Sequence, residues 1–222
     1  TAIGYASTGG RTPRHFDIEP SGQVLFAANQ DSDSIVAFRI DQQSGALTSL
    51  GHTFEIVAEP EKLAAFDKVI VPGVGAAGSA MKKLRESGFA DVLPALTVPV
   101  LGLCLGMQLF AEFSEEDDTQ GLGIISGKVR RFVTELKVPH MGWNTVRLVR
   151  DSKLTEGVPD GSFFYFVHSY YLARDPQYTV GISTYEVDMT AIAQYKNFYG
   201  TQFHPEKSGE WGMKILDNFC RL

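Results

Sequence analysis

The sequence predicts an α/β protein with an antiparallel β-meander at its N-terminus, because the pattern of the 222-residue chain changes near Phe54. After this point, short apolar runs suited to buried strands alternate with helical patterns, which is typical of a largely parallel sheet. Before it, short alternating runs are separated by turn clusters with no helical stretch between them. The predicted domains are therefore a meander over residues 1–53 and an α/β body over residues 54–222.

The meander is predicted from apolar runs and the turns between them. The strand-like runs are HFDIEP, QVLFAANQ and SIVAFRI, and the turn clusters are EPSG, NQDSDS and DQQSG. Glycine, asparagine, aspartate and serine favour turns when they cluster in this way. Two of the runs would leave exposed apolar strands in isolation, so we expect the meander to dock on the body. A loosely ordered appendage is the alternative.

The body is predicted element by element from its hydrophobic periodicity. Strand and helix patterns alternate in the order FEIVA, EPEKLAAF, KVIVP, AAGSAMKKLRESGFADVL and VPVLGLC. Four β-rich segments follow, namely SFFYFVHSYYL, YTVGIST, AIAQYKN and FYGTQF. The sheet is therefore expected to become mixed towards its C-terminal edge. The final segment, GEWGMKILDNFCRL, has the spacing of a closing amphipathic helix.

Composition excludes several classes of function. The net charge of -6 comes from scattered acids without a basic tract, which disfavours nucleic acid and anionic membranes as partners. The longest apolar run, near residues 97–103, is too short to span a bilayer, and no signal pattern opens the chain. We therefore expect a cytoplasmic protein, in which Cys104 and Cys220 are free thiols.

A cysteine elbow is the first candidate catalytic element. The segment VPVLGLCLGMQLF places a buried strand before Gly-Leu-Cys-Leu-Gly and a helix after it. This layout exposes Cys104 at a helix start, where the helix dipole favours the thiolate. Gly102 and Gly106 give the crowded turn room. The alternative is a small buried cysteine beside packing glycines.

A histidine and a carboxylate form the second candidate element. In TQFHPEKSG an apolar strand ends at His204, and Glu206 follows two residues later. A histidine can take the thiol proton and return a proton to a leaving group, while a carboxylate holds its ring and tautomer. Alone the pattern is weak, because most histidines at strand ends are structural or solvated. Together with the elbow it predicts a triad of Cys104, His204 and Glu206.

The glycine-rich turn in VIVPGVGAAGSAM is the third candidate element. A phosphate loop is the poorer interpretation, since the segment lacks both G-x-G-x-x-G with a distant acid and a G-K-[ST] ending. With a cysteine nucleophile nearby, the backbone N–H groups of Gly73, Val74 and Leu105 could hold the oxyanion of a tetrahedral intermediate.

Five segments together resemble, in order and spacing, the class I glutamine amidotransferases, and most of all the glutaminase subunit of imidazole glycerol phosphate synthase. These segments are PGVGAAGSAM, GLCLGMQLF, VPHMGWN, YFVHSYY and TQFHPEKSG. The resemblance covers residues 54–222 and implies a flavodoxin-like sheet with a parallel core. It also implies that Cys104 attacks the glutamine side-chain amide, that His204 acts as base and acid, and that Glu206 orients His204.

The same resemblance implies further site residues and partners. The residues matching glutamine-binding positions are Gln108, Glu116, His168, Ser169 and Tyr170, and those matching positions that face the partner are Trp143 and Lys207. A solvated helix face is the alternative for Gln108 and Glu116, and core packing for Trp143. The implied partners are L-glutamine and a cyclase subunit that forms imidazole glycerol phosphate in histidine biosynthesis. No metal or organic cofactor is implied.

The first part of the chain resembles something else, a blade of the 6-phosphogluconolactonase type of seven-bladed propeller, over Ser7 to Glu55. One blade cannot bury its faces alone or build a propeller's central site, so a lactonase is not expected. The strand, glycine-asparagine loop and helix that open the amidotransferase family are absent. The chain therefore resembles a chimera, engineered or natural. The alternative function is a fold chimera with little activity or partner coupling and self-association through β-edges.

Overall fold

A computed structural model describes residues 6–18, 22, 24–32 and 34–222. The chain forms two compact units, Thr1–Ala58 and Glu59–Leu222. Within the described residues, the first unit contains one four-stranded sheet, and the second contains a seven-stranded sheet, a four-stranded sheet and the α-helices. No helix in this part of the chain has the length and hydrophobicity needed to span a bilayer.

The first unit is an antiparallel meander, as predicted. Its strands are β1 (Pro13–Ile18), β2 (Val24–Asn29), β3 (Ser34–Ile40) and β4 (Leu47–Glu55), paired in that order. Cross-strand pairing sets Ala27 opposite Val36 and Leu25 opposite Phe38. These four side chains and Leu47 form one small apolar cluster.

Two predictions for residues 54–66 are wrong. The run FEIVA is not the first strand of the body, because Phe54 and Glu55 end β4 and pair with Ile35 and Ser34 of β3. The residues before Phe54 alternate weakly and include polar side chains, so the sequence pattern did not reveal a fourth meander strand there. The helical pattern EPEKLAAF is a 3₁₀ segment, Pro60–Ala65.

The second unit contains eleven strands within the described residues. They are β5 (Val69–Val71), β6 (Val100–Leu103), β7 (Ala111–Ser114), β8 (Thr119–Gln120), β9 (Ile125–Arg131), β10 (His140–Leu148), β11 (Ser162–His168), β12 (Tyr170–Leu172), β13 (Thr179–Tyr185), β14 (Val187–Tyr195) and β15 (Phe198–Thr201). The large sheet has the order β11-β10-β13-β14-β15-β6-β5. Strands β15, β6 and β5 are parallel and the others antiparallel, so the predicted mixed sheet is confirmed.

The small sheet of the body, in the order β12-β9-β7-β8, was not predicted. Its members β7, β8 and β9 alternate polar and buried residues without a long apolar run. The chain passes from β11 of the large sheet to β12 of the small sheet at Ser169. Residues 168–170 therefore lie where the two sheets meet, and this junction forms one side of the site described below.

The helices of the body are α1 (Ala77–Glu86), α2 (Phe89–Val92), α3 (Leu105–Gln108) and α4 (Gly209–Arg221). The single helix predicted over AAGSAMKKLRESGFADVL is divided at Gly88, whose φ of 79° is left-handed and ends α1. The predicted closing helix is α4, which buries Ile215 and Phe219 in the main core cluster. Asn218 on the same face donates hydrogen bonds to the carbonyl groups of Leu154 and Glu156.

Candidate active site

The Cys104 elbow is a strained turn between β6 and α3. Cys104 has a φ of 50° and a ψ of -108°, which is costly for a residue with a side chain and is common at nucleophiles. Its N–H donates to the carbonyl oxygen of Thr201 at 2.7 Å, so the turn is tied to the neighbouring strand β15. The helix α3 has only four residues. The dipole of so short a helix therefore favours a thiolate less than the sequence suggested. Hydrogen bonds to the sulfur of Cys104 become more important for stabilising its thiolate.

Close backbone packing brings the glycine-rich turn against the elbow. A Cβ atom added to Gly73 would lie 2.2 Å from the Gly106 nitrogen, and one added to Gly106 would lie 2.0 Å from the Val71 carbonyl oxygen. Both positions therefore require glycine. This contact places Gly73, in the turn after β5, beside Leu105.

His204 and Glu206 form a hydrogen-bonded pair next to the cysteine. His204 Nδ1 lies 2.9 Å from Glu206 Oε1. A carboxylate accepts, so Nδ1 carries a proton and Nε2 is the ring nitrogen left for Cys104. The backbone N–H of His204 donates to the carbonyl oxygen of Tyr165 on β11 at 2.9 Å, which fixes the backbone of His204 against that strand.

Both members of the pair have shifted pKa values. The hydrogen bond to Cys104, followed by that to Glu206, raises the pKa of His204 to about 9 despite its burial. Burial acts to raise the pKa of Glu206, but the hydrogen bond with His204, a backbone hydrogen bond and the charges of His204 and Lys207 hold it below its ordinary value. At neutral pH the ring is thus an imidazolium between a carboxylate and the cysteine sulfur.

Nearly all the predicted site residues line one cavity of about 280 Å³. Its lining consists of Gly73, Val74, Gly75, Cys104, Leu105, Gln108, Glu116, Val167, His168, Ser169, Tyr170, His204 and Lys207. Two predicted residues lie outside it. Glu206 contacts His204 from behind, and Trp143 on β10 is 56% exposed with its ring 6.1 Å from that of Tyr165. Core packing, the alternative for Trp143, is therefore wrong.

Gln108 and Glu116 are both held by hydrogen bonds. Gln108 is buried, with Nε2 donating to the Tyr170 carbonyl oxygen at 2.7 Å and to Gln202 Oε1 at 3.0 Å, so it does not lie on a solvated helix face. Glu116 is partly buried, and its Oε2 accepts from the backbone N–H of Ala77 at 2.8 Å. This carboxylate caps the first turn of α1 from a distant part of the chain.

The His168 ring is already fully engaged within the protein. Its Nδ1 lies 2.7 Å from the Tyr170 carbonyl oxygen, which can only accept, and its Nε2 lies 3.0 Å from His140 Nδ1. Burial lowers the pKa of His168 to about 3 and that of His140 to about 4. Both rings are therefore neutral, and His140 Nε2 meets Asn144 Nδ2 at 3.3 Å. The ring nitrogens of His168 hold the β11 to β12 junction in place.

Three residues at the site were not predicted: Gly75, Val167 and Gln202. Gly75 has a left-handed φ of 97° in the glycine-rich turn. The Val167 carbonyl oxygen lies 3.9 Å from Cys104 Sγ. Gln202 is fully buried, and its Nε2 lies 3.6 Å from the same sulfur. Both Gln202 and His204 follow the end of β15 at Thr201.

No metal centre is evident at this site. Across the described residues, no group of three or more histidine, cysteine, aspartate or glutamate side chains is arranged to hold a metal ion.

Two family models match the chain. The model described as glutamine amidotransferase class-I matches residues 40–222. The model described as lactonase, 7-bladed beta-propeller matches residues 1–61, so the two matches overlap over residues 40–61.

Several similar curated relatives are named imidazole glycerol phosphate synthase subunit HisH. The relative from Archaeoglobus fulgidus is 44% identical over 181 residues, which is 81% of this chain and 91% of the relative. Those from Haemophilus influenzae and Desulfitobacterium hafniense are 46% and 45% identical. Both alignments cover 78% of this chain, with 87% of the first relative and 85% of the second.

Solved structures are similar in fold. A protein described as a glutamine amidotransferase has a TM-score of 0.59 and 19% identity, covering 77% of this chain and 88% of that one. A glutamine amidotransferase from Thermotoga maritima has a TM-score of 0.52 and 22% identity, covering 75% and 67%.

Proposed function

The chain belongs to the class I glutamine amidotransferase family, and from this premise we propose that it is the glutaminase subunit of an imidazole glycerol phosphate synthase. The observation that carries the proposal is the cavity, in which Cys104 meets a His204 ring that is hydrogen-bonded to Glu206. Relatives named as subunits of this synthase support the choice within the family.

The first half of the reaction forms a thioester. Cys104 Sγ, as a thiolate, attacks the side-chain carbonyl carbon of L-glutamine, and the electron pair of the C=O bond moves to oxygen. We assign the resulting oxyanion to the backbone N–H groups of Gly73, Val74 and Leu105. Collapse of this intermediate breaks the C–N bond, and the His204 imidazolium donates its proton to the nitrogen. Ammonia leaves, and a γ-glutamyl thioester stays on Cys104.

The second half of the reaction regenerates the enzyme. Neutral His204 takes a proton from a water molecule, whose oxygen attacks the thioester carbonyl. The C–S bond breaks, glutamate leaves, and Cys104 returns to a thiolate beside an imidazolium. Glu206 holds the ring in one tautomer and stabilises its positive charge during both halves. The chemistry needs neither a metal nor an organic cofactor.

Substrate recognition is assigned to the polar groups of the cavity wall. Glu116 retains one carboxylate oxygen beyond its bond to Ala77, and we assign it the substrate's ammonium group. Gln108 Nε2 already donates hydrogen bonds within the protein. The side-chain oxygen Oε1 is therefore the atom of Gln108 that we assign to the glutamine amide. Because the His168 ring is engaged, we assign the α-amino and carboxylate contacts of this segment to Ser169 and Tyr170 and to the backbone.

The ammonia is proposed to pass to a cyclase subunit that makes imidazole glycerol phosphate in histidine biosynthesis. We assign Trp143 and Lys207 to the surface facing that partner, since both are exposed and Lys207 lines the cavity. All lining residues belong to the body. We propose that the meander, predicted over residues 1–53 and ending at Glu55 of β4, is an accessory element docked on the body, and that the chain is a chimera of two families.

Glutamate release tests the proposal. The whole chain is incubated with L-glutamine and the cyclase subunit of a curated relative, and glutamate is measured against a Cys104→Ala control. Glutamate formation that depends on both Cys104 and the cyclase is the expected result. Release no greater than that of the control would refute the assignment.

A second measurement separates a defective site from a defective partner surface. An electrophilic glutamine analogue should label Cys104 in the isolated chain, because labelling needs only the nucleophile and the pocket. Labelling without cyclase-dependent turnover would show that the amidotransferase site is formed, and it would refute coupling to this synthase. In that case the alternative of a fold chimera with little coupling would account for the chain.

A further inference from the structure

Gln202 lies between two residues of the proposed site. It follows β15, and its side chain is fully buried, so no solvent competes for its amide. Its Oε1 accepts from Gln108 Nε2 at 3.0 Å, and its Nε2 lies 3.6 Å from Cys104 Sγ. The distance to sulfur is that of a hydrogen bond, since sulfur acceptors bond at longer range than oxygen.

The direction of this amide follows from its neighbours. The Tyr170 carbonyl oxygen can only accept, so the atom of Gln108 that lies 2.7 Å from it must be the nitrogen. The second hydrogen of that nitrogen then faces Gln202, whose facing atom must be its oxygen. The NH₂ group of Gln202 is left on the side of Cys104 Sγ. A chain of two amides therefore aims an N–H at the reacting atom.

We infer that Gln202 is a catalytic residue that donates a hydrogen bond to the Cys104 thiolate. An N–H bond to an anion is stronger than one to a neutral thiol, so this donor favours the thiolate. The same donor stabilises the sulfur when it leaves as a thiolate from the thioester. The inference rests on the proposed function for its place in the reaction. The state of the sulfur can be tested without any glutamine turnover.

Gln202 complements His204 in a specific way. The imidazolium supplies positive charge that disappears when it donates its proton, whereas an amide neither titrates nor loses its hydrogen. The short α3 helix offers a weak dipole at Cys104. A neutral and permanent donor therefore supports the sulfur throughout the cycle, including the interval in which His204 is neutral.

The pH dependence of cysteine alkylation tests the inference. Iodoacetamide reacts with thiolates, and Cys220, the second thiol, is removed by Cys220→Ser in all proteins compared. For Gln202→Met, which keeps similar length and removes the donor, the midpoint of the pH–rate profile should rise by about one pH unit. Above this midpoint the variant should react as fast as the parent or faster, since a less stabilised thiolate is more nucleophilic.

A matched control removes a buried polar group elsewhere in the body. Thr190 is fully buried and donates to the Ala173 carbonyl oxygen, so Thr190→Val perturbs the core away from the sulfur. This variant should keep the parental midpoint. A Gln202→Met profile with the parental midpoint, or one slowed equally at every pH, would show a packing role only and overturn the inference.

Two further measurements test the inference even if the Gln202→Met variant does not fold. Gln202→Glu keeps an oxygen towards Gln108 and replaces the N–H near the sulfur with a second oxygen, so its midpoint should rise further than that of the Met variant. In the parent protein, the side-chain amide signal of Gln202 in ¹⁵N NMR should move with the pH profile of Cys104 alkylation. An amide signal that does not move in this range would also overturn the inference.

Discussion

The meander and the body differ most in how deeply their side chains are packed. Among the described residues, the meander cluster has three buried members, whereas the main cluster of the body has fifteen. The catalytic groups are supported by the larger one, since Phe203, directly before His204, is fully buried and stacks on Phe164 at 4.0 Å. Deep packing in the body holds the strained Cys104 elbow and the buried polar groups around it.

Loss of the nucleophile should reduce turnover more than any other change. Comparison with a meander variant should show that the chemistry belongs to the body. We expect Cys104→Ala to reduce glutamate formation at least about a thousandfold, because no other group can form the thioester. The exposed Phe16 of β1 provides the control in the meander. Phe16→Ser should keep parental turnover in the same assay, and a comparable loss there would contradict the division of roles.

Truncation of a buried aromatic side chain should cost more free energy of unfolding in the body than in the meander. Phe203→Ala removes a fully buried ring and should lower the free energy of unfolding by about 3 to 5 kcal/mol. Phe38→Ala in the meander should cost less, since the smaller cluster around it can collapse more readily.

The tryptophans make this measurement selective. Both, Trp143 and Trp211, lie in the body, so their fluorescence in urea reports body unfolding, while circular dichroism reports both regions. We expect Phe203→Ala to move the fluorescence transition and Phe38→Ala to leave it in place. A fluorescence transition that moves equally in both variants would show that meander and body unfold together.

Apolar strands and local motifs could be predicted from the sequence, and surface strands and distant partners could not. The elbow at Cys104 and the pattern around His204 are carried by neighbouring residues, so the two patterns taken together predict the triad from the sequence. The strand β4 was missed because its pattern is weak, and FEIVA was therefore assigned to the wrong region. Gln202 was missed because its partners, Gln108 and Cys104, lie almost a hundred residues earlier in the chain.

Loss of the carboxylate behind His204 should have a smaller effect than loss of the nucleophile. Glu206→Gln removes a charge that raises the pKa of His204 and fixes its tautomer, so turnover should fall by about a hundredfold. The pKa of His204 should fall below about 9, and ¹H–¹⁵N NMR of the ring should detect this.

The same variant changes how stability depends on alkaline pH. Because the pKa of His204 is raised from 6.5, its ionisation stabilises the fold fully below that value and loses this effect as pH rises towards about 9. In Glu206→Gln the loss should still begin near 6.5, but it should be smaller and complete at a lower pH. An unchanged ring titration would contradict the assigned role of Glu206.

The buried histidine pair should make the body sensitive to mild acid. The pKa values of His140 and His168 are depressed to about 4 and about 3, so their neutral rings stabilise the fold fully above 6.5. This stabilisation is lost as pH falls from 6.5 towards these values. His140→Gln removes one of the two titrations and should reduce the pH dependence of the fluorescence transition. A parental pH dependence in this variant would exclude His140 as a source.

The meander should respond to acid later and more weakly. The Ser44 hydroxyl and the backbone N–H groups of Ser44 and Gln43 donate to the Asp41 carboxylate and lower its pKa. Its stabilising effect is therefore present above the ordinary value of 3.8 and is lost as pH falls through the depressed one. Because this turn is exposed, Asp41→Asn should change the circular dichroism transition only slightly. A meander that weakens together with the body as pH falls from 6.5 towards about 4 would mean that the buried histidines, and not the local hydrogen bonds of Asp41, determine the acid response of both regions.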